Sequence, residues 1–184
     1  MFSDADGTGR VNCYAVVSYI TGPLGRFVDE FRREVAPFCD FQAHITILPP
    51  RLLAEVPADA LEQLKAESER AGAFEIEATE VGIFDGTQVV YLAVGAGAEE
   101  LSRFNRILNA GLLGSAELFP YHPHITLAQE IDGARIPQVL ELARERWAEF
   151  RESRRFELER VKLVQYTREN RWVDLSEYRI GRSS

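Results

Sequence analysis

One short strand-like segment occurs twice in the chain, as Ala43-His44-Ile45-Thr46-Ile47-Leu48 and, eighty residues later, as Pro123-His124-Ile125-Thr126-Leu127-Ala128. Successive side chains of an extended strand point to opposite faces. His44 and Thr46 therefore share one face while Ile45 and Ile47 share the other, and the second copy repeats the pattern. A further pair of similar segments, FEIEATEVGIF from Phe74 and FELERVKLVQY from Phe156, lies at an offset of 82. Two motifs repeating at nearly one offset point to a unit present twice. Two copies with so long a period are unlike a solenoid array.

The elements between the motifs agree with this reading. Val11 to Ile20 is rich in β-branched and aromatic residues and ends at Thr21-Gly22-Pro23, so it reads as a strand. Pro23 suits the first turn of a helix, in which Leu24, Phe27, Val28, Phe31 and Val35 recur at spacings of three and four until Ala36-Pro37 stops it. Phe41 to Leu48 is a strand that Pro49-Pro50 is expected to end, and Ala58 to Arg70 is a strong helix former. Phe74 to Phe84 and Thr87 to Val94 form an expected hairpin around Asp85-Gly86. A helix carrying Leu101, Phe104, Ile107, Leu108 and Leu112, the second motif strand, and a helix over residues 137–150 follow. Phe156 to Thr167 and Arg171 to Ile180 then close the chain as two strands. The expected fold is α/β (α+β) and bilobal, with duplicated β-α-β-α-β units, antiparallel-rich sheets, a central cleft and a pseudo-twofold axis. The 184 residues form one domain with units at roughly 11–84 and 87–180, between which strands can exchange.

A net charge of −8 argues against a surface that grips long nucleic acid through many phosphates. A small anionic ligand is compatible with it, since one or two local cations suffice. The two cysteines, Cys13 and Cys39, lack metal-type spacing and read as buried free thiols. The polar, acidic start of the chain is unlike a signal peptide, and no apolar run approaches the roughly 18–20 residues of a membrane span. A cytoplasmic monomer is expected. The charge runs 28–34 (VDEFRRE) and 144–155 read as solvated helix faces.

Two of the three histidines occupy equivalent places in the repeat. A core has no need of the same imidazole and hydroxyl in both halves, whereas a reaction that removes one proton and delivers another does. With an ordinary pKa near 6.5, one histidine can be neutral and act as base while the other is protonated and acts as acid, giving a bell-shaped pH dependence of kcat/KM. Two opposed imidazoles, each beside a hydroxyl, suit displacement at phosphorus: one activates the entering oxygen and the other protonates the leaving oxygen. Thr46 and Thr126 are placed to donate to the non-bridging oxygens, and no metal is required. Arg51 is a candidate phosphate contact, Tyr14 and Tyr121 are candidates for stacking on a base, and His122 is a further candidate for contact with the substrate. His122-Pro123-His124 together with His44 would also supply three nitrogen ligands of the zinc type, the basis of an alternative as a metallohydrolase.

Two H-x-T motifs, one in each half of a duplicated α/β chain of this length, resemble the two-histidine (2H) phosphoesterase superfamily, which includes the RNA 2′,3′-cyclic phosphodiesterases, also called 2′-5′ RNA ligases. The resemblance covers about Val11 to Ile180. It implies a bilobal fold with a central cleft and metal-independent, cofactor-free opening of cyclic phosphates or cleavage of 2′-5′ linkages, and in the reverse direction a ligase activity. It also implies catalytic residues at His44, Thr46, His124 and Thr126. The partner expected is a small nucleotide or an RNA terminus. A nucleotide-binding module of the same fold without turnover is the second alternative.

Overall fold

The structure, a computed structural model, describes residues 9–84, 86–169 and 171–181. Asp85 of the expected turn and the first eight residues lie outside them. In chain order the elements are β1 (Arg10–Tyr19), α1 (Gly22–Val35), β2 (His44–Leu52), α2 (Ala58–Arg70), β3 (Phe74–Phe84), β4 (Val89–Val94), α3 (Ala98–Asn109), β5 (His124–Ala128), α4 (Ile136–Glu149), β6 (Arg155–Leu158), β7 (Arg160–Thr167) and β8 (Trp172–Arg179). The strands make two antiparallel four-stranded sheets, in the orders β2-β1-β7-β8 and β5-β4-β3-β6. Among the described residues no helix is long and apolar enough to cross a membrane.

Sheet membership does not follow the order of the sequence. β3, early in the chain, pairs with β4, and β7, late in the chain, pairs with β1. The two routes meet where β3 and β6 pair, with Phe74 opposite Leu158, Glu75 opposite Glu157 and Ile76 opposite Phe156. An offset of 82 converts the first of these pairs into the third and Glu75 into its own partner, so a local twofold axis passes through the Glu75/Glu157 pair. The segment from Phe156 to Thr167, expected as one strand, is therefore two: Glu159 separates β6, which belongs to one sheet, from β7, which belongs to the other.

β2 and β5 are the end strands of their sheets and lie in contact with each other. Both carry the same irregularity. Val16 is opposite Leu48 while Val17 is opposite Thr46, which leaves Ile47 as an extra residue; Val90 is opposite Ala128 while Tyr91 is opposite Thr126, which leaves Leu127 extra. A bulge placed directly after each H-x-T motif fixes where the motif's alternation ends. It also turns Ile47 and Leu48 together into the core. β2 does not stop at Pro49-Pro50 but runs on to Leu52, because an end strand has one side on which a missing N–H costs no ladder bond.

Ile45, Ile47, Leu48, Ile125 and Leu127 are fully buried in one cluster that runs under both sheets, and each contributes about 1.5–3 kcal/mol by leaving water. The helices cover that side, with α1 packed on β5 and α3 on β2, so each helix braces the motif strand of the opposite sheet. The other face of the motif strands is left for a cavity.

Candidate functional site

The cavity has a volume of about 980 Å³ and is lined by His44 and Thr46 from β2 and by His124 and Thr126 from β5. The period-two alternation of each strand aims these four side chains away from the core, and the contact between the two end strands brings them to one place. Each histidine is oriented in the same way. His44 Nδ1 lies 2.7 Å from the Gln42 carbonyl, and His124 Nδ1 lies 2.7 Å from the His122 carbonyl. A carbonyl only accepts, so Nδ1 carries the proton in both rings, and Nε2 is the nitrogen left to exchange one.

Aromatic rings hold the imidazoles. Trp172 lies against His44 at a centroid distance of 4.9 Å and Phe41 meets it edge-on. On the other side Phe84 and Tyr91 stack at 4.2 Å, and both meet His124 edge-on, at 5.0 and 5.6 Å. Gly82, opposite Tyr91 in the ladder, gives that ring its room, since a Cβ there would lie 2.6 Å from Tyr91 Cζ.

Beneath the two motifs lies Arg32 of α1, 3% exposed and part of the cavity wall. Its Nε and Nη2 donate to the Thr126 carbonyl at 3.0 and 2.5 Å, and its Nη1 donates to the carbonyls of Phe41 and Gln42 at 3.1 and 3.3 Å. The cation thus ties the entry of one motif strand to the middle of the other. Asp29, one turn earlier, accepts from the Ala43 amide at 2.6 Å. The run 28–34 is therefore not wholly solvated. Arg32 lies four residues after Val28 and three before Val35, on the apolar stripe of the helix, and that spacing was the available signal.

Burial, and then the charge of Arg32, push the His44 imidazole down to about 3, against the opposing pull of the Gln42 carbonyl. His124 is lowered as well, chiefly by burial, with its bond to the His122 carbonyl opposing and the charges of His122 and Arg32 adding to the drop. Both rings are therefore neutral at neutral pH.

The remaining sequence candidates separate. Tyr121 lines the cavity and donates its hydroxyl to the Thr46 carbonyl at 2.7 Å, so it braces a motif strand. His122 lines the same wall, beside Phe84 and Tyr91. Arg51 borders the cavity, but its guanidinium donates to the carbonyls of Pro49 and Leu113, to Asn109 Oδ1 and to Glu117, holding the 113–117 segment in place. Tyr14 is 8% exposed, in the core beside Gln165, and does not line the cavity. Its neighbour Cys13 does, because alternation along β1 puts Tyr14 on the helix side. Among the described residues no group of three or more His, Cys, Asp or Glu side chains is placed to hold a metal ion, and the rings of His122 and His124 are 6.4 Å apart. The three-histidine arrangement is not formed. Cys13 and Cys39 are free thiols; Cys13 is buried as expected, whereas Cys39 is only partly buried.

Residues 22–170 match the family model described as the 2′-5′ RNA ligase superfamily. The chain is similar to an RNA 2′,3′-cyclic phosphodiesterase of Aeropyrum pernix, with 35% identity over 140 residues that cover 68% of this chain and 76% of the relative. Among solved structures, that of E. coli LigT complexed with NADP+ gives a TM-score of 0.61 at 17% identity over 93% of this chain and 98% of the other. E. coli LigT complexed with 3′-AMP gives 0.59 at 16% identity over 92% and 98%. At these identities the structural likeness concerns the fold.

Proposed function

The chain belongs to the 2′-5′ RNA ligase superfamily of two-histidine phosphoesterases, and from that premise we propose that it opens 2′,3′-cyclic phosphates or cleaves 2′-5′ phosphodiester linkages of small nucleotides or RNA ends. His44 and His124 serve as the acid/base pair and the hydroxyls of Thr46 and Thr126 as donors to the non-bridging oxygens. The observation that carries this reading is the matched orientation of the two imidazoles, each with Nδ1 locked on a backbone carbonyl, in one cavity.

The chemistry follows from that geometry. A neutral imidazole takes the proton of the entering oxygen at Nε2 as the oxygen bonds to phosphorus. The opposite imidazole, protonated, gives its Nε2 proton to the leaving ribose oxygen. Burial and Arg32 hold both rings neutral at neutral pH, so the acid must gain its proton with substrate. A bound phosphate diester brings a negative charge that offsets the field of Arg32 and favours one imidazolium. The threonine hydroxyls meet the charge that builds on phosphorus oxygens, and a comparable donor elsewhere is worth about 2.7–4 kcal/mol.

The RNA 2′,3′-cyclic phosphodiesterase relative and the nucleotide complexes of E. coli LigT support small nucleotides as ligands. The aromatic rings on both sides of the cavity offer faces for bases. In the same reading the chain is one cytoplasmic domain and a monomer. Its units at 11–84 and 87–180 are copies that exchanged their last strands, which the axis through Glu75 and Glu157 supports.

The test is turnover of 2′,3′-cyclic mononucleotides and 2′-5′-linked dinucleotides, with and without a chelator. Turnover of at least one class, undiminished by the chelator, is expected. Binding without turnover of either would leave a nucleotide-binding module, and loss of activity on chelation would reject the two-histidine chemistry.

A further inference from the structure

The local twofold axis makes His44 and His124 equivalent in fold, yet their surroundings differ in charge. The Thr126 carbonyl, on the β5 strand, is capped by the Arg32 guanidinium, whereas the equivalent Thr46 carbonyl on β2 is capped by the neutral Tyr121 hydroxyl. Arg32 also donates to the Gln42 carbonyl, the same oxygen that receives the His44 Nδ1 proton. Protonating His44 would set a second positive charge against an oxygen already shared with a cation. The His124 ring has its own carbonyl, that of His122, two residues before it.

Resting on the acid/base reading above, we propose that Arg32 is a positioning residue that makes the two histidines unlike, fixing His44 as the base that takes the proton from entering water and His124 as the acid that protonates the leaving oxygen. In ring opening, the water oxygen bonds to phosphorus, its proton goes to His44 Nε2, the bond from phosphorus to the ribose oxygen breaks, and that oxygen takes the proton of His124 Nε2. The sum is addition of one water. The charged and titratable groups around Arg32 are Asp29 on its own helix, Cys39 on the loop before β2, His44 on β2 and His124 on β5, and His124 also faces His122, on the segment before β5, at a centroid distance of 6.4 Å. Asp29 partly offsets the cation, but its carboxylate is held by the Ala43 amide.

Labelled imidazoles followed by NMR against pH test the asymmetry in the wild-type protein: His44 is expected to titrate at lower pH than His124. In Arg32→Met the His44 midpoint should rise by about one pH unit and more than that of His124, carrying the acidic limb of kcat/KM upward; Arg32→Lys, which keeps the charge, should hold it low. The reverse order in the wild type, or a methionine variant that loses activity at every pH without moving His44, overturns the proposal; if that variant does not fold, the wild-type order decides. Role is tested with an aryl phosphodiester, whose leaving group departs without a proton. His124→Ala should recover activity on it relative to a 2′,3′-cyclic nucleotide and His44→Ala should not, and the opposite pattern overturns the assignment. Full activity of both alanine variants on both substrates would instead reject the catalytic reading itself, whatever the titration order.

Discussion

Asn105→Leu tests whether the bulge that ends the first motif is held from behind. Asn105 sits on α3, is 6% exposed, and donates through Nδ2 to the Ile47 carbonyl at 2.8 Å. Ile47 is the extra residue of the bulge and is fully buried, so its carbonyl has neither a regular ladder partner opposite it nor water at hand. Leucine keeps the bulk of the side chain and removes the donor. A buried carbonyl left without a partner costs about 1–3 kcal/mol, offset by only a few tenths of a kcal/mol from leucine's better helix propensity. For a chain of this length that is a fall in Tm of roughly 2–12 °C. Thr46 immediately precedes the bulge, so a relaxed bulge shifts its hydroxyl, and a displacement of about 1 Å can lower turnover by about 10²-fold. Urea and thermal unfolding followed by circular dichroism, with kcat/KM on a 2′,3′-cyclic nucleotide, read both effects. A stability change within about 0.5 kcal/mol, the range of an ordinary surface substitution, would refute the reasoning.

Two further substitutions address the same strands. Tyr121→Phe removes the bond to the Thr46 carbonyl and should lower unfolding free energy by about 0.5–1.5 kcal/mol in urea titration, with the fold unchanged by circular dichroism; no loss would mean that the hydroxyl does not brace β2. His44→Gln should flatten the acid side of the stability curve. The folded imidazole is held down at about 3, while the unfolded one titrates near 6.5. Between these values the unfolded chain binds the extra proton, and stability is lost as pH falls, at up to about 1.4 kcal/mol per pH unit. Thermal unfolding between pH 7 and 5 should therefore fall more steeply for wild type than for the variant, and parallel curves would contradict the shift.

The H-x-T faces, the repeat and the helices were legible because each rests on local periodicity: alternation of two in the strands, three and four in the helices. The division of the segment from Phe156 between two sheets was not visible, since nothing local in FELERVKLVQY says that Glu159 parts them. The extension of β2 through Pro49 and Pro50 depends on its being an end strand, which is a tertiary fact. Arg32 lay on a face that periodicity already marked as apolar, but its place in a charged run pointed to solvent. Its four hydrogen bonds to carbonyls supply what burial would otherwise cost. Tyr14 and Cys13 differ by one step of alternation, and the orientation of β1 relative to the cavity decides between them.

The most direct measurement is kcat/KM for a 2′,3′-cyclic nucleotide in His44→Ala, His124→Ala and the double variant, with folding checked by circular dichroism. Two imidazoles acting as one unit predict that each single replacement lowers the rate about 10²–10⁴-fold, and that the double replacement costs little more than either alone. Turnover at the wild-type rate in either single variant would contradict the pairing of the two motifs in one reaction.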